Sequence, residues 1–118
     1  MTKLRSVWFV CALGWLGVMP SWADAPVDSD QAAKLIRMVR QDCGSCHGMR
    51  LTGGLGPALT PQAMREMPVE SIAATIYHGR PGTPMPPWRA MINAAQAQWI
   101  AEQLQAGFPQ ELAERTSR

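Results

Sequence analysis

Three stretches of this chain repeat apolar residues at three- and four-residue steps, the period of a helix with one buried face. In the first, Ala32, Leu35, Ile36, Val39 and Cys43 predict an amphipathic helix over 30–43 running directly into Cys43, with Asp28 and Gln31 spaced like a capping box at its start. In the second, Val69, Ile72, Ala73 and Ile76 form the stripe, and Gly79 stands where a left-handed C-cap is wanted. The third runs from Asn93, a good N-cap, to Gln105, with Ile92, Ala95, Trp99, Ile100 and Gln103 or Leu104 on its buried side; Gly107 and Pro109 stop it. Thr60-Pro61, an N-cap residue followed by proline at the first helical position, predicts a short turn of helix over 61–66 that Pro68 ends. No stretch alternates as a strand does, so the expected fold is all-α: three main helices and a short one.

Two segments break the pattern. Between 44 and 56 stand five glycines (44, 48, 53, 54 and 56), too many for a regular element and suited to backbone that turns tightly or approaches a ligand closely. Between Arg80 and Arg89 stand four prolines, which exclude a continuous helix. With 118 residues and no internal repeat, one domain is expected over 30–107, preceded by a flexible leader at 24–29 and followed by a tail at 108–118.

The first 23 residues read differently. Lys3 and Arg5 precede an apolar run from Val7 to Val18, followed by Pro20 and the small-residue pattern Ser21-Trp22-Ala23, which is the form of a secretory signal peptide cleaved before Asp24. A retained anchor is the alternative, but Pro20 interrupts the run, which is shorter than the roughly 20 residues a spanning helix needs. Cys11 lies inside the run, without small residues before it or a polar mature sequence after it, and is discarded as an acylation site. The chain is therefore expected outside the cytoplasm, in the periplasm, without stable membrane insertion.

Removal of the leader changes the charge. Eleven basic residues fall to nine, against nine acidic ones, so the mature chain is formally neutral. Lys34 to Arg89 still holds seven basic residues and three acidic ones, giving either a basic face or an ordinary solvated surface. The interleaving of basic and aromatic residues that suits nucleic acid is missing, and protein partners are expected.

Cys43-Gly44-Ser45-Cys46-His47 is the Cys-x-x-Cys-His pattern of c-type haem attachment: the two thiols add to the haem vinyl groups and the adjacent histidine reaches iron. A thioredoxin-like dithiol would need a strand before it and a parallel sheet around it. Half a zinc site would need two more Cys or His ligands, so tetrahedral zinc would have to enlist Cys43, Cys46, His47 and His78, every such residue of the mature chain, in an unusual spacing. An exported protein normally pairs its cysteines, but covalent haem uses both. One covalently bound haem c would also supply the large apolar body that three short helices lack, so the haem-free chain is expected to fold poorly.

The sixth ligand to iron must come from elsewhere. Met38 lies in the first helix and Met49 only two residues from His47; both are expected to be packing residues. Met85 stands in Gly82-Thr83-Pro84-Met85-Pro86-Pro87-Trp88, where prolines fix an extended loop and present one thioether. Met85 is the expected axial ligand, with His78 as the alternative. Ligation by His47 and Met85 raises the reduction potential and leaves no open position for a substrate, so an electron carrier rather than an enzyme is expected.

From 30 to 107 the order of helix, Cys43-x-x-Cys46-His47, Gly56-Pro57-x-Leu59, middle helix, Met85-Pro86 loop and final helix resembles the class I cytochrome c family. That resemblance implies that the Pro57 carbonyl accepts a hydrogen bond from His47 Nδ1, that Leu59 packs on the haem, and that Trp99 sits where the first and last helices cross. The strings at 43–61 and 79–88 are similar, more narrowly, to the NirC-type periplasmic cytochromes of denitrifying bacteria and to the haem c domain of cytochrome cd-type nitrite reductase. The implied role is donation of electrons to that reductase, received from upstream donors, after haem insertion by the cytochrome c maturation machinery. A redox part in haem d maturation is the alternative. A ligand-binding or catalytic haem protein would require Met85 to leave iron.

Overall fold

Asp28 opens the first helix: its carboxylate accepts from the Gln31 amide at 2.8 Å, and α1 follows over Ser29–Met38. The protein is seen here in a computed structural model that describes residues 25–109; the expected signal peptide and residues 110–118 of the expected tail lie outside the described residues. The helix starts one residue earlier than the apolar pattern suggests, and Val27 already packs against the core. Packing also continues past 107, where Phe108 joins the partly buried apolar residues.

The stripe of α1 does not run on as a plain α-helix. Val39–Cys43 forms a π-helical turn closed by the Gly44 amide on the Val39 carbonyl, and helical geometry resumes in α2, Gly44–His47. The first four residues of the glycine-rich segment are thus helical, a correction to the expectation of irregular backbone throughout 44–56. A single glycine within a turn costs about 1 kcal/mol at most, which the preceding helix can absorb by propagation.

The Thr60 hydroxyl caps α3, Pro61–Met64, accepting from the Ala63 amide at 3.4 Å. Pro68 precedes α4, Val69–His78, and Asn93 and Gln96 form a reciprocal capping box at the start of α5, Ala94–Ala106. Among the described residues there is no strand, and the fold is all-α.

The core joins every helical segment except α2: Leu35 and Val39, Met64, Ile72, Ala73 and Ile76, and Ala97, Ile100, Ala101 and Leu104, with Leu51 and Ile92 from the loops. The buried stripe of α5 is therefore Ala97, Ile100, Ala101 and Leu104, with Ala95, Trp99 and Gln103 only half-buried at its margins. The small side chains of Ala73, Ala97 and Ala101 let α4 and α5 approach closely, and Ile100 and Leu104 supply the bulk. Each large aliphatic side chain so buried contributes about 1.5–3 kcal/mol. Gln105 adds a polar stitch, donating through Nε2 to the Met64 and Met67 carbonyls and tying α5 to the α3–α4 turn.

Candidate functional site

The Cys-x-x-Cys-His motif begins in the π-helical turn and ends at the last residue of α2. Cys43 is half-buried against the core and Cys46 is exposed, and both thiols are free. Burial pushes the Cys43 thiol up to about 11 from its ordinary 9.0, and the Asp42 carboxylate beside it adds to the rise.

The loop after α2 folds back over the motif. Gly53 N–H donates to the His47 carbonyl and Gly56 N–H to the Cys46 carbonyl, each at 2.8 Å, so the otherwise unsatisfied carbonyls at the helix end are capped by the loop. The reversal uses Leu51, which is buried yet holds a left-handed φ of 59° and exchanges hydrogen bonds with Gly48 and Leu59. At Gly56 the backbone passes against the His47 imidazole: a Cβ there would stand 2.8 Å from both Cε1 and Nδ1. His47 Nδ1 lies 2.7 Å from the Pro57 carbonyl oxygen. A carbonyl can only accept, so Nδ1 carries the proton of the neutral ring and Nε2 keeps its lone pair.

Met85 reaches the core from the proline-rich loop. That loop is fastened to the last turn of α4, where Trp88 N–H donates to the Ile76 carbonyl and Arg89 N–H to the Tyr77 carbonyl, both at 3.2 Å. Gly79 is needed beneath it, because a Cβ there would lie 2.6–2.9 Å from the Pro87 nitrogen, the Pro86 carbonyl carbon and the Met85 oxygen. Its φ of 70° is positive as expected, but its ψ of −173° is extended, so the helix ends by close approach of the methionine loop and not by a left-handed cap. Within the loop, Arg80 N–H donates to the Met85 carbonyl, and the Thr83 hydroxyl accepts from the Met85 amide.

The other candidates sort by burial. Met38 packs against the core as expected, whereas Met49 is 63% exposed and is no packing residue, a correction to its expected role. Met64 is buried in α3, and Met67 and Met91 are exposed. His78 is exposed, with its ring edge-on to Tyr77. Leu59, Met85 and Trp88 are half-buried, packed against the core. Among the described residues no three His, Cys, Asp or Glu side chains converge, so the donors are not arranged for a tetrahedral cation. Two free thiols, an imidazole with Nε2 available and a half-buried thioether are instead the donor set that suits haem c.

Arg40 had no signal as a structural residue in the sequence. It donates from Nη2 to the Phe108 and Pro109 carbonyls at 3.1 and 2.9 Å and from Nη1 to the Met49 carbonyl, with its guanidinium 5.4 Å from the Phe108 ring centroid. Thr83 is legible in the sequence only as part of the extended proline-rich loop, although a threonine two residues before a held amide is a recognised side-chain turn spacing.

An all-helical domain with these donors defines a c-type cytochrome, a haem-binding electron-transfer protein. A family profile described as "Cytochrome C oxidase, cbb3-type, subunit III" matches residues 30–103. Cytochrome c55X of Pseudomonas aeruginosa is 48% identical over 103 residues, 87% of each chain. The solved c-type cytochrome NirC is 55% identical with a TM-score of 0.67, covering 68% of this chain and 94% of that one. The chain belongs to the class I c-type cytochromes of this NirC, or cytochrome c55X, type. It is also similar to a small part of a dihydro-heme d1 dehydrogenase solved in complex with DHE, at 32% identity and a TM-score of 0.54, covering 58% of this chain and 15% of that one.

Proposed function

We propose that this protein is a periplasmic carrier of single electrons that holds one haem c, and that it delivers them to a cytochrome cd-type nitrite reductase in denitrification. Cys43 and Cys46 would each add S–H across a haem vinyl group, the sulfur bonding to one carbon and the proton going to the other. His47 Nε2 and Met85 Sδ would hold its iron. The haem supplies iron that takes one electron from an upstream redox protein and gives one to the acceptor. The chain's own part is to fix the imidazole, close the other face with a thioether and so leave no position for a substrate, which makes it a carrier and not a catalyst.

The observation that carries this reading is the hold on His47: Pro57 orients Nδ1 at 2.7 Å and Gly56 leaves the ring room. Such a second partner fixes both the tautomer and the direction of the metal-binding nitrogen. Export to the periplasm is supported by the Met1–Ala23 pattern, and among the described residues no helix is long and apolar enough to cross a membrane.

Pyridine haemochrome and oxidised-minus-reduced spectra of protein matured in a periplasm test the cofactor. One c-type haem is expected, with a far-red ferric methionine band that disappears in Met85→Ala and persists in His78→Ala. High-spin iron in the unmodified protein would overturn the carrier assignment.

A second reading, a redox part in haem d maturation, is favoured by the likeness to the dihydro-heme d1 dehydrogenase. Deleting the gene separates the two. Intact haem d with slow nitrite reduction supports donation, whereas nitrite reductase protein lacking haem d supports assembly.

A further inference from the structure

Both backbone groups of Met85 are held, and the two holds differ in kind. Its carbonyl accepts from the Arg80 amide at 3.2 Å, a main-chain bond that most substitutions leave intact. Its amide donates to Thr83 Oγ1 at 3.3 Å, and among the described residues this is the side-chain hydrogen bond to the Met85 backbone. The same hydroxyl donates to the Arg80 carbonyl at 2.7 Å, which the Thr83 amide also reaches at 3.1 Å. Thr83 thus closes the turn at Arg80 with its proton and anchors Met85 with its lone pair.

The residues around it cannot replace that link. Pro84 lies between Thr83 and Met85 and Pro86 follows, and neither has an N–H to contribute. Pro84 fixes its own φ, but the rotation that follows it is free, and that rotation sets where the Met85 Cα–Cβ bond points. A bond to the Met85 amide restrains it.

We propose that Thr83 is the positioning residue for the sixth ligand, its hydroxyl holding the Met85 backbone so that the thioether stays directed at the haem face. This rests on the assignment of Met85 as axial ligand. Without the hydroxyl the thioether leaves iron more readily, and an added ligand competes better for the position.

The test is imidazole titration of the ferric holoprotein, followed at the far-red methionine band, in the unmodified protein and in Thr83→Val, Thr83→Ser, Thr83→Ala and Met85→Ala. Thr83→Val keeps the shape and removes the hydroxyl with both its hydrogen bonds, to the Arg80 carbonyl and from the Met85 amide; losing the second should let imidazole bind about fivefold more tightly. Thr83→Ala should behave likewise, and Thr83→Ser should restore the original affinity. Unchanged affinity in Thr83→Val and Thr83→Ala, with the band lost in Met85→Ala, would overturn the role of Thr83 alone. Failure of serine to rescue would assign the effect to the methyl group and also overturn it. Persistence of the band in Met85→Ala would instead overturn the ligand assignment beneath it.

Discussion

Gly56 and His47 touch so closely that neither can be altered without the other responding. Gly56→Ala would place a methyl carbon 2.8 Å from two ring atoms, and the contact is with a ring already pinned at Nδ1. The imidazole must tilt or the loop must lift, at a cost of about 1–3 kcal/mol. Urea unfolding of the holoprotein is expected to show that loss, together with a shifted Soret band. Cys43 gives a second expectation at this scale, in the fraction of the poorly folding haem-free chain with Cys46→Ala that holds this fold. The folded chain favours the protonated thiol, so that contribution to stability is complete below 9.0 and is lost as pH rises through about 11. Between those values alkylation of Cys43 should be slower in buffer than in urea, and the rates should converge above them. Equal rates throughout would mean that the packing around Cys43 forms only with the haem.

At the scale of elements, α4 and the methionine loop are one unit, because the loop supplies the hydrogen bonds that the helix end lacks. Gly79→Ala strains a φ of 70° and drives a methyl into the Met85–Pro87 backbone. It should cost about 3 kcal/mol and weaken the far-red methionine band, measured by thermal melting and by the ferric spectrum. Asn93→Ala removes the capping box of α5, which makes no hydrogen bond to Gly79 or Met85, and should cost about 1 kcal/mol in the same melt without moving the band. The helices themselves were legible because their apolar stripes and caps are local: Asp28, Thr60 and Asn93 all cap where the spacing of residues suggests. The π-helical turn was not, since Leu35, Val39 and Cys43 fit an α-helical stripe equally well. The buried face of α5 centres on Ala97, Ile100, Ala101 and Leu104, with the larger Trp99 at its margin, because burial there falls on small alanines that a stripe drawn through the largest apolar residue passes over.

For the whole molecule, the motif proposed to carry the chemistry is plain in the sequence, while the contacts that hold it in place are not. Cys43, Cys46 and His47 declare themselves by spacing. The left-handed turn at Leu51, the hydroxyl of Thr83 and the clamp of Arg40 depend on where distant backbone arrives, and no local pattern encodes them. Arg40 joins residues 68 and 69 positions apart in the chain. Arg40→Leu should therefore lower global stability by about 1.5–3 kcal/mol, the range for hydrogen bonds from a charged group, visible as a lower denaturant midpoint of the holoprotein.

That clamp also has a consequence in time. A growing or translocating chain is delivered amino end first, so Arg40 and the two thiols just beyond it appear long before Phe108 and Pro109. Until those two residues arrive the latch has only the Met49 carbonyl to hold, and the segment bearing Cys43 and Cys46 stays open to the attachment proposed for it. The arrival of Phe108 and Pro109 shuts a door that the order of synthesis has kept ajar.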